Sequence, residues 1–192
     1  PASQYNYSVY EYYDATKCYI NNGLYGITFT TSNGTGYCTA GALNQQEYIS
    51  NVSFGSINQS SSRGTNQYED YTTIGTDMQK GVNYTANITV ENPVHYDKIF
   101  IWIDWNHDND FFDDGENVYT SSGADFASPH TTATFSPPSN ALMGAARMRI
   151  RLGNSNSNMT PCERSDRGEV EDYTVNVVNC VYPSIQASGF TT

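Results

Sequence analysis

Residues 98–105, KIFIWIDW, restrict the fold more than any other stretch of the chain. Drawn as a β-strand, the run is apolar on both faces. A strand of that kind cannot leave either face in water, so it must be central and covered on both sides. The surrounding segments are consistent with such a strand. Ile49, Val52 and Phe54 form a short alternating set, and Tyr84, Ala86, Ile88 and Val90 share one face at a period of two. NQYEDYTTIG, TATFS, ARMRIRL and EDYTVNVV supply further short strands, separated by Gly, Pro and Asn. No long amphipathic helix and no internal repeat is visible. The expected fold is therefore all-β: an antiparallel β-sandwich, Ig-like or jelly-roll-like, carrying a calcium-binding loop. The expected division is a Tyr/Asn-rich extension of one or two strands over 1–36, a sandwich over 37–179, and a C-terminal extension over 180–192.

The calcium expectation comes from WIDWNHDNDFFDDGENV, which follows directly from the central strand. Asp104, Asn106, Asp108 and Asp110 place an oxygen-bearing side chain at every second residue, and Glu116 comes late, as in an oxygen-only cage. Asn109 stands at the sharp turn where a calcium loop of this pattern has glycine. Without a cation, charges about 4–6 Å apart repel by roughly 1–4 kcal/mol per pair. The predicted metal ligands are Asp104, Asn106, Asp108, Asp110 and Glu116, with Asp113, Glu169 and Asp172 as additional candidates. Calcium is preferred over magnesium, which keeps more of its own water.

RGEVEDYTV, residues 167–175, poses a second electrostatic problem, because three carboxylates crowd into the start of a strand. Upstream, RMRIRL puts Arg147, Arg149 and Arg151 on one face of another strand. If the two strands are antiparallel neighbours, Arg149 and Arg151 can pair with Glu169 and Glu171.

Composition narrows the partners. Twenty acidic against nine basic residues give a net charge of −11, which leaves no basic excess for nucleic acid or anionic membranes. No apolar run is long enough to cross a bilayer. The chain opens Pro1-Ala2-Ser3, which reads as a processed chain or a fragment. Four cysteines with no CxxC pair favour two disulfides and an exported, extracellular or cell-surface location. His95, His107 and His130 form no catalytic motif, and the chain is read as non-catalytic. Binding is the expected role, with polysaccharide or another cell-surface ligand as partner. Tyr10, Tyr12, Trp105 and Tyr119 are the stacking candidates. The alternative is a structural subunit of an adhesin or extracellular filament, in which the Tyr-rich N-terminus contacts neighbouring copies.

YCTAGA, EYISNVSFGSINQSS, YEDYT, WIDWNHDNDFFDDGE, LMGAARMRIRL, the Cys162-Glu163 pair and GEVEDYTV occur in the order found in the GEVED domain. The chain resembles that family over about residues 37–178. The resemblance implies an accessory β-sandwich of secreted or cell-surface proteins, chiefly of Bacteroidetes, where it accompanies metalloproteases, glycoside-active enzymes and adhesin-like chains. It also implies pairing of Cys38 with Cys162, and then of Cys18 with Cys180.

Overall fold

The computed structural model describes residues 36–43, 46–122, 130–154 and 159–179, all within the compact unit Asn33–Thr192. Eleven strands occur there: β1 (Ala40–Ala42), β2 (Tyr48–Phe54), β3 (Ile57–Ser60), β4 (Tyr68–Gln79), β5 (Tyr84–Glu91), β6 (Asp97–Ile103), β7 (Asn117–Thr120), β8 (His130–Phe135), β9 (Gly144–Asn154), β10 (Glu163–Ser165) and β11 (Glu169–Val178). One sheet has the order β4-β11-β9-β6-β7 and the other β3-β2-β5-β8. β1 and β10 form a separate parallel pair.

The two large sheets share one core. Ile49, Val52, Phe54, Ile88 and Val90 of the four-stranded sheet pack against Ile101, Ile103, Met148, Ile150, Tyr173 and Val175 of the five-stranded one. Their spacing of two, interrupted by a bulge between Ile49 and Asn51, is the alternation read from the sequence, and the architecture is an all-β sandwich. Within these two sheets one pairing departs from a purely antiparallel scheme: β4 runs parallel to β11 at the sheet edge.

β6 is covered on both faces, as its composition demands. Ile99, Ile101 and Ile103 enter the sandwich core. Phe100 and Trp102 stack at 5.6 Å on the opposite face, where Phe111, Tyr37 and Met159 close over them. Apart from Phe111, which comes from the loop after β6, that outer cover comes from two largely irregular segments around residues 36–43 and 159–165, which carry the short strands β1 and β10. The Cys38–Cys162 disulfide joins them, the pairing that the family resemblance implies. Cys18 and Cys180 lie outside the described residues, as do Tyr10, Tyr12 and the rest of the N-terminal tyrosines.

Irregular segments carry unpaired carbonyls, and burying these without donors is costly. The arginine row supplies the donors. Arg149 Nη1 donates to the carbonyls of Cys38 (3.0 Å) and Pro161 (2.9 Å). Arg151 Nη1 donates to those of Thr160 (2.6 Å) and Cys162 (2.7 Å). Arg151 Nη2 reaches Gly41 and Glu163, each at 3.3 Å. The two buried guanidiniums therefore hold the outer cover onto the sheet.

Candidate functional site

The acids of GEVED each have a separate partner, set by strand register. β9 and β11 are antiparallel neighbours, as expected, but Arg149 stands opposite Asp172, while Glu171 stands opposite Ile150. The ion pair is therefore Arg149–Asp172: Nε to Oδ1 and Nη2 to Oδ2, both 2.7 Å. Arg147 at 3.3 Å and the Tyr68 hydroxyl at 2.9 Å complete the Asp172 shell. The expected pairing of Arg149 and Arg151 with Glu169 and Glu171 does not occur, because the glutamates point to the other side of the sheet. Glu169 instead accepts from the backbone N–H of Ile49 (2.7 Å) and Gly64 (3.0 Å), tying the two sheets together. Glu171 accepts from the Ser61 (2.6 Å) and Tyr173 (2.8 Å) hydroxyls. Gly168 has φ +104°, and a Cβ there would collide with the Leu152 carbonyl, so the motif begins with glycine for steric reasons.

Neither Glu169 nor Asp172 joins the acidic loop as a metal ligand, since both are already engaged along β11. A contact chain still connects β11 to the loop. Arg147 bonds Asp172 and lies 4.3 Å over the Tyr37 ring, and the Tyr37 hydroxyl donates to Asp104 Oδ2 at 2.6 Å.

The buried acids have a consequence for stability. Burial raises the Glu171 carboxyl to about 8 and that of Glu169 to about 7. A carboxyl raised in this way keeps its proton longer in the folded chain than in the unfolded one. The stability it contributes is complete below the ordinary value of 4.5 and is lost as pH rises through about 8. With chelator present, urea midpoints should fall from pH 5 to pH 8.5, and Glu171→Gln should remove Glu171's share of that fall. The variant should match the parent at pH 5 and exceed it by roughly 3 kcal/mol at pH 8.5. An equal midpoint at both pH values would contradict the assignment.

The acidic loop, residues 104–116, leaves β6 and returns into β7. Its base is buried. Glu116 Oε1 accepts from Trp105 N–H (3.1 Å) and Oε2 from Asp113 N–H (3.3 Å), which closes the turn. Asp104 Oδ2 accepts from Asn109 N–H (3.1 Å) as well as from Tyr37. Burial, followed by the neighbouring Asp104 charge, lifts Glu116 to about 7.

The outer part of the loop gathers Asp108, Asp110 and Asp113, whose carboxylate oxygens lie within 4.8 Å of one another. The Asn106 amide sits between two of them, donating to Asp108 (2.9 Å) and Asp113 (2.6 Å). Asn109 adopts φ 72°, filling the left-handed position that glycine would otherwise take. A hydrogen bond to Asp108 raises the Asp113 carboxyl. Asp108 itself is lowered: bonds from Asn106 and the Asp110 N–H outweigh its slight burial.

The predicted ligand set is thus split. Asp108 and Asp110 converge with Asp113, with Asn106 between them. Asp104 and Glu116 stay at the buried base, bonded to backbone. The three carboxylates fit a hard divalent cation, whereas Asn106 turns its NH2 toward them and its Oδ1 accepts from Asp108 N–H at 3.1 Å; Asp104 Oδ1 is buried without a hydrogen-bond partner.

Beside the loop lies a cleft of about 450 Å³, lined among others by Asn106, Asp113, Asn117, Thr134, Ser136 and Asn140. Trp105, a stacking candidate, borders it but is only 5% exposed and belongs to the core. Tyr119 is half-buried against the same core. Phe112, which sequence reading passed over, is 64% exposed at the loop tip, while its neighbour Phe111 is buried. Nothing in the FF pair itself shows which ring turns outward.

No curated protein matches this chain. Among solved structures, a family 123 glycoside hydrolase from Clostridium perfringens, described in a structural analysis of glycolipid glycan hydrolysis, aligns at 10% identity with a TM-score of 0.32. The alignment covers 61% of this chain and 24% of that one, so this chain spans about a quarter of the enzyme's length. That likeness carries no argument about activity. Residues 98–176, from β6 through most of β11, match the GEVED domain family, the one that the sequence resembles.

Proposed function

We propose that the chain is a non-catalytic, calcium-stabilised β-sandwich module of a secreted or cell-surface bacterial protein, and that it binds carbohydrate beside the acidic loop. The observation that carries the reading is the convergence of Asp108, Asp110 and Asp113 next to an open cleft rich in amide and hydroxyl groups. Calcium accepts six to eight oxygen ligands, so an ion held by three carboxylates at the surface keeps positions for vicinal sugar hydroxyls. Phe112 offers an exposed ring face, and the flanking amides suit hydroxyl recognition. The Cys38–Cys162 disulfide supports an oxidising compartment, and among the described residues no helix is long and apolar enough to cross a membrane. The filament alternative rests on N-terminal tyrosines that lie outside the described residues.

The test combines calcium, chelator and a broad polysaccharide panel on affinity gels. Calcium at a hundredfold excess over Kd should stabilise the chain by about 2.7 kcal/mol. The triple variant Asp108→Asn, Asp110→Asn, Asp113→Asn should lose the loop site's share of that gain. Retention on at least one polysaccharide should require calcium and should weaken about tenfold in Phe112→Ala. No retention across the panel would refute the carbohydrate reading, and an unchanged calcium response in the triple variant would refute the loop as its site.

A further inference from the structure

Away from the acidic loop, two buried acids lack the partners that every acid of GEVED has. Glu47 immediately precedes β2, and Asp97 opens β6. Both residues are fully buried. Both Glu47 carboxylate oxygens and Asp97 Oδ1 have no hydrogen-bond partner. Asp97 Oδ2 has one, accepting from Val94 N–H at 2.7 Å within the tight turn that leads into β6. Buried polar atoms are normally paired; among the described residues Gln67, Asp104, Trp105, His107 and Arg151 each leave one such atom without a partner, whereas Glu47 and Asp97 together leave three carboxylate oxygens.

Topology brings the two acids to the same end of the sandwich. Tyr48 at the start of β2 pairs with Glu91 at the end of β5, and the short connection 92–96 then delivers Asp97. Glu47 and Asp97 therefore share one end of the sandwich. The Glu47 charge acts on Asp97, adding to the burial that raises the Asp97 carboxyl to about 6.

The cationic and amide groups nearby are directed elsewhere. Arg63 donates to the Gln46 carbonyl at 3.1 Å and lies over the Tyr48 ring. Asn92 donates to that same carbonyl at 3.4 Å. Arg167 is near enough to lower Asp97 electrostatically. Even so, the ion pairs among the described residues are Arg147–Asp172 and Arg149–Asp172, and Arg167 enters neither.

We infer that Glu47 and Asp97 form a second cation site, of a class suited to calcium, at the end of β6 remote from the acidic loop. The two carboxylates balance one divalent charge. The paired orphan oxygens of Glu47 suit bidentate ligation, and Asp97 Oδ1 adds a third ligand, with carbonyls and water completing the shell. Magnesium fits less well, because it retains several waters and both acids are buried. β6 separates the two sites by its seven residues, roughly 20 Å at about 3.3 Å per residue, so one ion cannot serve both. An ion here would pin the start of β2 to the start of β6, joining the two sheets at the end opposite the loop.

Calcium stoichiometry on the full chain decides the matter, by calorimetry and by native mass spectrometry. The triple loop variant Asp108→Asn, Asp110→Asn, Asp113→Asn should still bind one calcium per chain. Adding Glu47→Gln should abolish that binding, and Asp97→Asn should weaken it at least tenfold. A folded loop variant that binds no calcium would overturn the inference, as would one whose binding is unchanged by Glu47→Gln. Should Glu47→Gln fail to fold, the loop variant alone decides: one ion retained supports the second site, and none retained overturns it. A parent chain that binds a single calcium, kept in full by the loop variant, would count against the loop site only.

Discussion

Arg149→Met is expected to cost about 3–5 kcal/mol of folding stability, the typical effect of removing one partner from a buried ion pair. Asp172 is fully buried, and its shortest bonds are the two 2.7 Å contacts from Arg149. Arg147 cannot replace them, being longer at 3.3 Å and more than a quarter exposed. The same change strips donors from the carbonyls of Cys38 and Pro161, loosening the outer cover over Trp102. Arg149→Lys should fail as well, because an ammonium lacks the planar fork that serves a carboxylate and two carbonyls together. The check is a urea titration of the parent, each single variant and Arg149→Met/Asp172→Leu. The double variant should recover part of the loss, since it removes the stranded charge. A loss below 1 kcal/mol for Arg149→Met would show that the pair is not what holds this region.

Replacing both Cys38 and Cys162 by serine is expected to cost about 5 kcal/mol in the chain-entropy description, because the bridge closes a loop of 124 residues. The effect should have a local signature too. The disulfide joins the segments that cover Phe100, Trp102 and Phe111, so those rings should gain access to water. Tryptophan emission should shift to the red in the variant before global unfolding begins. Limited proteolysis should cut near residues 36–43 or 159–165 ahead of the sandwich strands. An unchanged midpoint together with unchanged emission would mean that the arginine contacts alone retain the cover.

The two experiments probe one device by different routes. Arg149 and Arg151 reach the cover from the sheet, through hydrogen bonds to its carbonyls. The disulfide joins the two halves of the cover to each other. The acidic loop is connected to this region through Tyr37, which packs against Phe111 at 5.0 Å and bonds Asp104. Loosening the cover should therefore also weaken the calcium binding proposed for the loop.

Periodicity and charge crowding are local properties, and the sequence determined what depends on them. Local pattern named the longer strands but not the short β1, β7 and β10, the doubly apolar run of β6 required cover on both faces, and the spacing of Asp108 and Asp110 marked the loop. The arginine and acid runs were recognisable as neighbours on adjoining strands. The structure alone decided which acid meets which arginine, because antiparallel register exchanges one partner for the next with a shift of a single residue. It also decided that Trp105 turns inward while Phe112 turns out, and that Asp104 and Glu116 close the base of the loop while Asp113 joins its rim. The Glu47–Asp97 pair was invisible in the linear sequence, where fifty residues separate the two acids. Local spacing carries no record of such a meeting, because it exists only once two sheets have packed and excluded the water between them.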